Sequence, residues 1–305
     1  MVWGAGSVVA GWDIEQTDCR SASSWKLIAA MTRLLGALAA AIKLGRRTRC
    51  ARIADRSTAV SGSWHHRRVP DPLARQWPHD AAALDAEQIR IGALSPPSWQ
   101  PAAERLLVGG CFLAFAHGEQ GPGRAGDHGW AGAVVVECPG LETVASVVVP
   151  CVVGAPYERG RLALREGPAL AAAVDALPVR PDVLLVDATG RDHPRGAGLA
   201  VQLGAVLDLP TIGVTQRTLA AEGIWPGPER GATSRLLLHG VVVGAWVRTQ
   251  RNVRPIAVHA GWRVDTDTAV AVVLACTGSA RAPEPLRRAR TVARKTRANA
   301  GTLRD

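Results

Sequence analysis

Between residues 166 and 214 the chain alternates a helical stretch, a short apolar run, a second helical stretch and a second apolar run, an order few folds accommodate. Glu166–Leu177 and Gly198–Leu207 carry helical periodicity, while Val183–Val186 and Thr211–Val214 are apolar without alternation. Such runs read as strands covered on both faces, joined in parallel by crossover helices. Upstream, Arg105–Ala116, Trp130–Glu137 and Thr143–Val149 are β-rich, and the Gly-rich segment 117–129 and Pro139-Gly140 read as two hairpin connections. Three antiparallel strands followed by parallel crossover strands predict an α/β fold with one mixed sheet flanked by helices.

The flanks complete the plan. Asp80 is placed to cap a helix running to about Ala93, which Pro96, Pro97 and Pro101 stop. Leu236–Val247 and Ile256–Val258 read as further strands, Thr268–Ala275 as a helix, and the segment after Pro285 as a basic helical tail. Residues 1–76 lack sustained strand alternation and read as a poorly structured basic extension. The predicted organisation is an extension over 1–76, a domain over 77–280 and a basic helical or disordered tail over 281–305. No run of eighteen uncharged apolar residues exists to span a bilayer.

The formal charge of +10 is unevenly spread, with basic ends around a near-neutral middle. That pattern suits contact with a polyanion such as nucleic acid, although a solvated tail gives the same pattern. Cys19, Cys50, Cys111, Cys138, Cys151 and Cys276 form no CxxC pair and no zinc-like spacing, so they read as thiols in a reducing, cytoplasmic compartment.

Asp187 ends the Val183–Val186 strand in PDVLLVDATGRDHPR, where open α/β sheets present side chains to ligands. It either caps the next turn or belongs to a site, and the crowding of Gly190, His193, Pro194 and Arg195 into the following loop favours a site. Glu166, in PYERGRLALREGPAL, sits at a predicted helix start, where it could merely complement the dipole. Paired with Asp187 across the sheet, it would make a two-carboxylate site able to hold Mg²⁺ against a phosphodiester. Tyr157, the single tyrosine, follows Pro156 in a turn and could stack on or wedge between bases, or simply pack. The segment GAGLAVQLG follows no strand and lacks a third spaced glycine, which excludes a dinucleotide fingerprint.

Taken together, the Pro156-Tyr157 turn, Leu162 with Arg165, Glu166, Pro168, Ala169 and Leu170, the run Pro181–Asp187, His193-Pro194-Arg195, Gly198-Leu199-Ala200 and Leu209–Val214 resemble the endonuclease V family in order and spacing. The resemblance implies an RNase H-like fold and Mg²⁺-dependent cutting, with Mn²⁺ as a substitute, of DNA or RNA near deaminated adenine. It implies that Glu166 and Asp187 are metal-site acids, that Asp182 supports them, and that His193 lies by the base or the cleavage site. Tyr157 would be the strand-separating wedge, with Pro156, Gly160, Gly190, Arg195 and Gly198 around the base pocket. A monomer is expected.

The departures fall where that chemistry belongs. Phe112, in VGGCFLAF, stands at the family's first catalytic Asp, Gln216 at its Lys, Trp262 at its His, Ala188 at a Gly and Arg159 at a Pro. Glu119 and Asp127 could replace the lost acid only if their loop folds back. Two readings follow: a Mg²⁺-dependent endonuclease acting at hypoxanthine or inosine, and a homologue that binds nucleic acid without cutting. A scaffold protein is a third, which leaves the retained acids unexplained.

Overall fold

In the computed structural model, which describes residues 77–102, 105–116 and 121–301, the first helix begins from Asp80. Its carboxylate accepts the Ala83 N–H at 2.8 Å, the N-cap arrangement that starts helix α1 (Ala81–Gly92). Strands β1 (Leu106–Phe115), β2 (His128–Cys138) and β3 (Glu142–Val152) follow as an antiparallel meander. Helix α2 (Leu162–Asp175) leads to β4 (Val183–Val186), and α3 (Leu199–Leu207) to β5 (Thr211–Thr215). The chain then runs through β6 (Thr233–Leu238), β7 (Val241–Val247), β8 (Ile256–Ala260), α4 (Thr266–Ala275) and α5 (Glu284–Gly301). The extension over 1–76, and Glu119 with it, lie outside the described residues.

One eight-stranded sheet results, in the order β3-β2-β1-β4-β5-β8-β7-β6. The pairs β1·β4 and β4·β5 are parallel and the others antiparallel, so the mixed sheet read from the sequence is present. Alternation sorts its two faces. Cys111, Leu113, Leu184 and Val186 point into a core with Ala163, Leu170 and Val174 of α2 and Leu199 and Leu203 of α3. Val108, Val183, Leu185, Ile212 and Val214 point the other way, against Ala269, Val272 and Val273 of α4 and Leu286 of α5.

Two boundaries differ from those the pattern predicts. Pro168 suggests a helix beginning near Glu166, because proline is favoured in a first turn; the helix instead starts at Leu162 and keeps Pro168 inside. Glu166 therefore sits in the second turn, beyond the exposed N–H groups of the terminus. The stretch Leu236–Val247 divides into β6 and β7 at His239 and Gly240, whose φ values of 51° and 79° make the left-handed pair a two-residue hairpin turn requires.

Helix α5 is docked on the sheet. Leu286, Ala289 and Ala293 form its buried stripe, which lies over β1 and β2. The approach is backbone to backbone. A Cβ on Gly110 would collide with the Pro285 main chain, and one on Gly132 would come within 2.8 Å of the Ala289 carbonyl oxygen. We expect Gly110→Ala to lower unfolding stability by about 1–3 kcal/mol in urea titrations, as overpacking does elsewhere. An unchanged midpoint would mean that the helix does not need this contact.

Candidate functional site

A cleft of about 170 Å³ opens at the carboxyl end of β4, lined by Gln88, Tyr157, Gly160, Asp187, Thr189, His193, Gly198 and Thr215, with Leu219 at its edge. The turn from Pro156 to Arg161 forms one wall, and a single carbonyl oxygen anchors it. Gly160, in the left-handed region at φ 81°, turns its C=O inward to accept from His193 Nε2 (2.9 Å), Arg195 Nη2 (3.2 Å) and Gln88 Nε2 (3.2 Å). Arg195 also donates to Gln88 Oε1 at 2.8 Å, and Asp85 accepts from Arg161 at 2.9 and 2.6 Å while pairing with Arg195 at 2.9 Å. The Arg161 hydrogen bond holds the Asp85 carboxyl below the usual range. Helix α1 thus braces the turn through Asp85 and Gln88, two residues the motif reading passed over.

This network defines His193. Its Nδ1 accepts the Arg195 N–H at 3.2 Å and burial pushes its pKa down, so the ring is neutral with its proton on Nε2, held by Gly160. The side chain is 1% exposed. It borders the cleft and positions the turn. Tyr157 is the opposite case: 51% exposed beside the exposed Pro156, its backbone N–H held by the Pro122 carbonyl at 2.6 Å, it presents its ring at the cleft mouth.

At the cleft floor Asp187 does not stand alone with Glu166. In the β1·β4 register Cys111 lies beside Val186, so Phe112 lies beside Asp187, and both face α5. Arg290 of α5 donates from Nη2 to Asp187 Oδ2 at 2.6 Å and lies 5.0 Å over the Phe112 ring; Arg294 lies 5.6 Å over the same ring. Each cation over the ring is worth about 0.5–2 kcal/mol. Glu166 approaches from α2. Burial first, then the Asp187 charge, push its pKa to about 7, and the same two carboxylates help push the buried Cys111 thiol up.

Other predicted residues fall elsewhere. Asp182 is at the opposite end of β4 from Asp187, where it accepts the Leu107 N–H at 2.8 Å; it is a cap between strands and supports nothing at the cleft. Gly190 lies packed on the β8 main chain at Ala260, and Arg195 braces the wall from behind. Trp262 packs with Ile91, Ala197 and Val201 away from the cleft, whereas Gln216 lines a second cavity next to Asp187. Asp127 does not fold back as a replacement acid: it pairs with Arg165 at 2.8 Å, buried on both sides. Asp192, which the motif reading passes over beside His193-Pro194-Arg195, accepts three N–H bonds from Leu219, Ala220 and Ala221 (2.6–2.8 Å) and so fixes the far rim.

The family model for endonuclease V matches residues 99–291. The chain belongs to the endonuclease V family. It is 34% identical over 235 residues to endonuclease V of Rhodospirillum centenum, covering 72% of this chain and 97% of that protein. It is 42% identical over 165 residues to endonuclease V of Streptomyces avermitilis, covering 54% of this chain and 72% of that protein. The crystal structure of the Streptomyces protein superposes with a TM-score of 0.63 at 37% identity, over 72% of this chain and 92% of that one. The Ciona intestinalis endonuclease V, solved with a 24mer DNA containing an inosine, shares the fold at 22% identity and TM-score 0.60, over 72% of this chain and 98% of that one. The RNase H-like architecture expected from the motifs is the one these endonuclease V structures share.

The divalent cation that endonuclease V membership implies does not fit this floor. Among the described residues no three His, Cys, Asp or Glu side chains converge as a metal-binding group, which leaves the two carboxylates Glu166 and Asp187 to hold it. Phe112 supplies an apolar wall at the register position beside Asp187, and the Arg290 guanidinium already occupies the Asp187 carboxylate. A second cation there would meet a fixed positive charge.

The Glu166 shift has a sign that can be checked. Because the folded-state pKa lies above the ordinary 4.5, the neutral acid favours folding below pH 4.5, and that contribution disappears as pH rises through about 7. Glu166→Gln should match the wild type near pH 4.5 and exceed its stability by on the order of 3 kcal/mol at pH 8. Paired urea titrations across that range decide it, and a pH-independent difference would refute the shift.

Proposed function

We propose that this chain binds nucleic acid at a deaminated adenine and holds it without cutting the phosphodiester. The binding unit begins near residue 77, with residues 1–76 as an extension, and acts as a monomer. The free Cys111, Cys138, Cys151 and Cys276 suit a reducing cytoplasm. Family membership and the inosine-containing DNA bound by the Ciona protein support the ligand class.

What the residues do follows from their positions. The braced turn offers Tyr157 at the cleft mouth, where base stacking is worth about 1–3 kcal/mol. The cleft behind it takes an unstacked base between the Gly160 turn and the Thr189 loop. His193, neutral and committed to Gly160, moves no proton; it keeps the wall in place.

One observation carries the non-cutting half of the reading: Asp187 is neutralised by Arg290 beside an apolar Phe112. Glu166, still within electrostatic reach of Asp187, is the observation that favours the cutting alternative. A gel assay on inosine-containing and adenine-matched strands, as DNA and as RNA, with Mg²⁺ or Mn²⁺, separates them. The expected result is tighter binding of the inosine strand, weakened roughly tenfold by Tyr157→Ala, with no nick. Nicking that Asp187→Ala abolishes would establish the endonuclease instead, and no preference for inosine would leave only a scaffold.

A further inference from the structure

We propose that Arg290, with Arg281 and Arg287, forms a metal-independent site for a backbone phosphate of the bound strand, in the place beside Asp187. The inference rests on the nucleic-acid reading above and adds what holds the strand.

A second cavity, of about 120 Å³, is lined by Asp187, Thr215, Gln216, Arg281, Arg287 and Arg290 among others. It shares Asp187 and Thr215 with the base cleft, so a nucleotide whose base entered the cleft would carry its phosphate toward this cavity. The charges favour an anion. Arg281, Arg287 and Arg290 line the cavity with one carboxylate, Asp187, and although Glu284 pairs with Arg287 at 2.7 Å and with Arg288 at 2.9 Å, the group as a whole stays positive. Arg281 donates to the carbonyl oxygens of Arg254 (2.8 Å) and Pro255 (3.0 Å), and among the described residues no carboxylate pairs with it.

Arg290 is poised rather than spent. The Asp187 pair uses Nη2, and Nη1 has no hydrogen-bond partner among the described residues. Both side chains of the pair are about a third exposed (35% and 34%), a setting in which an ion pair contributes little to folding. A planar fork with a free edge, stacked on Phe112, can take a phosphate oxygen on that edge while its other nitrogen keeps Asp187. Arg287, Arg290 and Arg294 recur at helical spacing on one stripe of α5, adjacent to the buried stripe, so their position is set by the docking of the helix.

Fluorescence anisotropy of a labelled inosine-containing strand tests this at constant ionic strength. Wild-type affinity should agree within about twofold in EDTA and in Mg²⁺, and the slope of log K against log salt should fall by about 1 in Arg290→Gln and again in Arg287→Gln. Arg290→Lys should keep the slope. If Arg290→Gln is poorly folded by circular dichroism, Arg287→Gln and Arg281→Gln carry the same expectation. Binding that rises tenfold with Mg²⁺, or slopes unchanged in folded variants, overturns the phosphate site while leaving inosine binding intact. Absence of any inosine-strand binding overturns both readings.

Discussion

The close approach of α5 to β1 and β2 is the constraint on which the candidate site depends. Gly110 and Gly132 remove the side chains that would hold the helix away, and Leu286, Ala289 and Ala293 fill the space with small or compact groups. Only at that separation does Arg290 reach across the strand ends to Asp187 and lie over Phe112. A helix a turn's width further out would leave Asp187 facing solvent and Phe112 as an exposed ring, which the apolar transfer cost opposes.

The opposite wall is built on a different principle. There a single main-chain oxygen, that of Gly160, collects three donors from two elements distant in sequence, and an arginine–aspartate network ties those elements together. Half-buried charges would be poor contributors singly, but Asp85 Oδ1 and Arg195 Nη2 here each serve two partners, which is the condition under which a network rigidifies. The exposed Tyr157 ring therefore projects from a stiff base. One wall is set by packing and the other by hydrogen bonding, with Asp187 between them.

The strands and crossover helices were legible because periodicity and caps act locally: Asp80, Asp187 at a strand end and the apolar β4 and β5 need no tertiary information. The β6–β7 turn was not, since His239 adopts a left-handed conformation uncommon for any residue but glycine, and no Asn-Gly or Asp-Gly signal stands there. The motif residues of the cleft were legible through resemblance, yet their roles depended on partners. His193 is a latch because Gly160 faces it, and Asp182 is a strand cap because β1 runs beside it. Arg290 carried no motif at all. In the sequence it is one arginine in a basic segment, and only the register of β1 with β4 and the docking of α5 show that it meets Asp187.

Phe112 and Arg290 are best understood together. A carboxylate at position 112 would add negative charge beside Asp187 and favour a cation; a phenyl ring there removes that charge and offers a face on which a guanidinium stacks. Once the ring is present, Asp187 still needs a counter-charge, because Glu166 nearby already carries a pKa raised by burial and by Asp187. Arg290 supplies it covalently tethered, without the loss of translational freedom that a diffusible ion brings. The floor thereby changes sign: two acids that would attract a divalent cation become one neutralised pair bordered by Arg281, Arg287 and Arg294. On the proposed reading, an anionic strand finds its complement in the protein itself, and the cleft beside it is left to take the base.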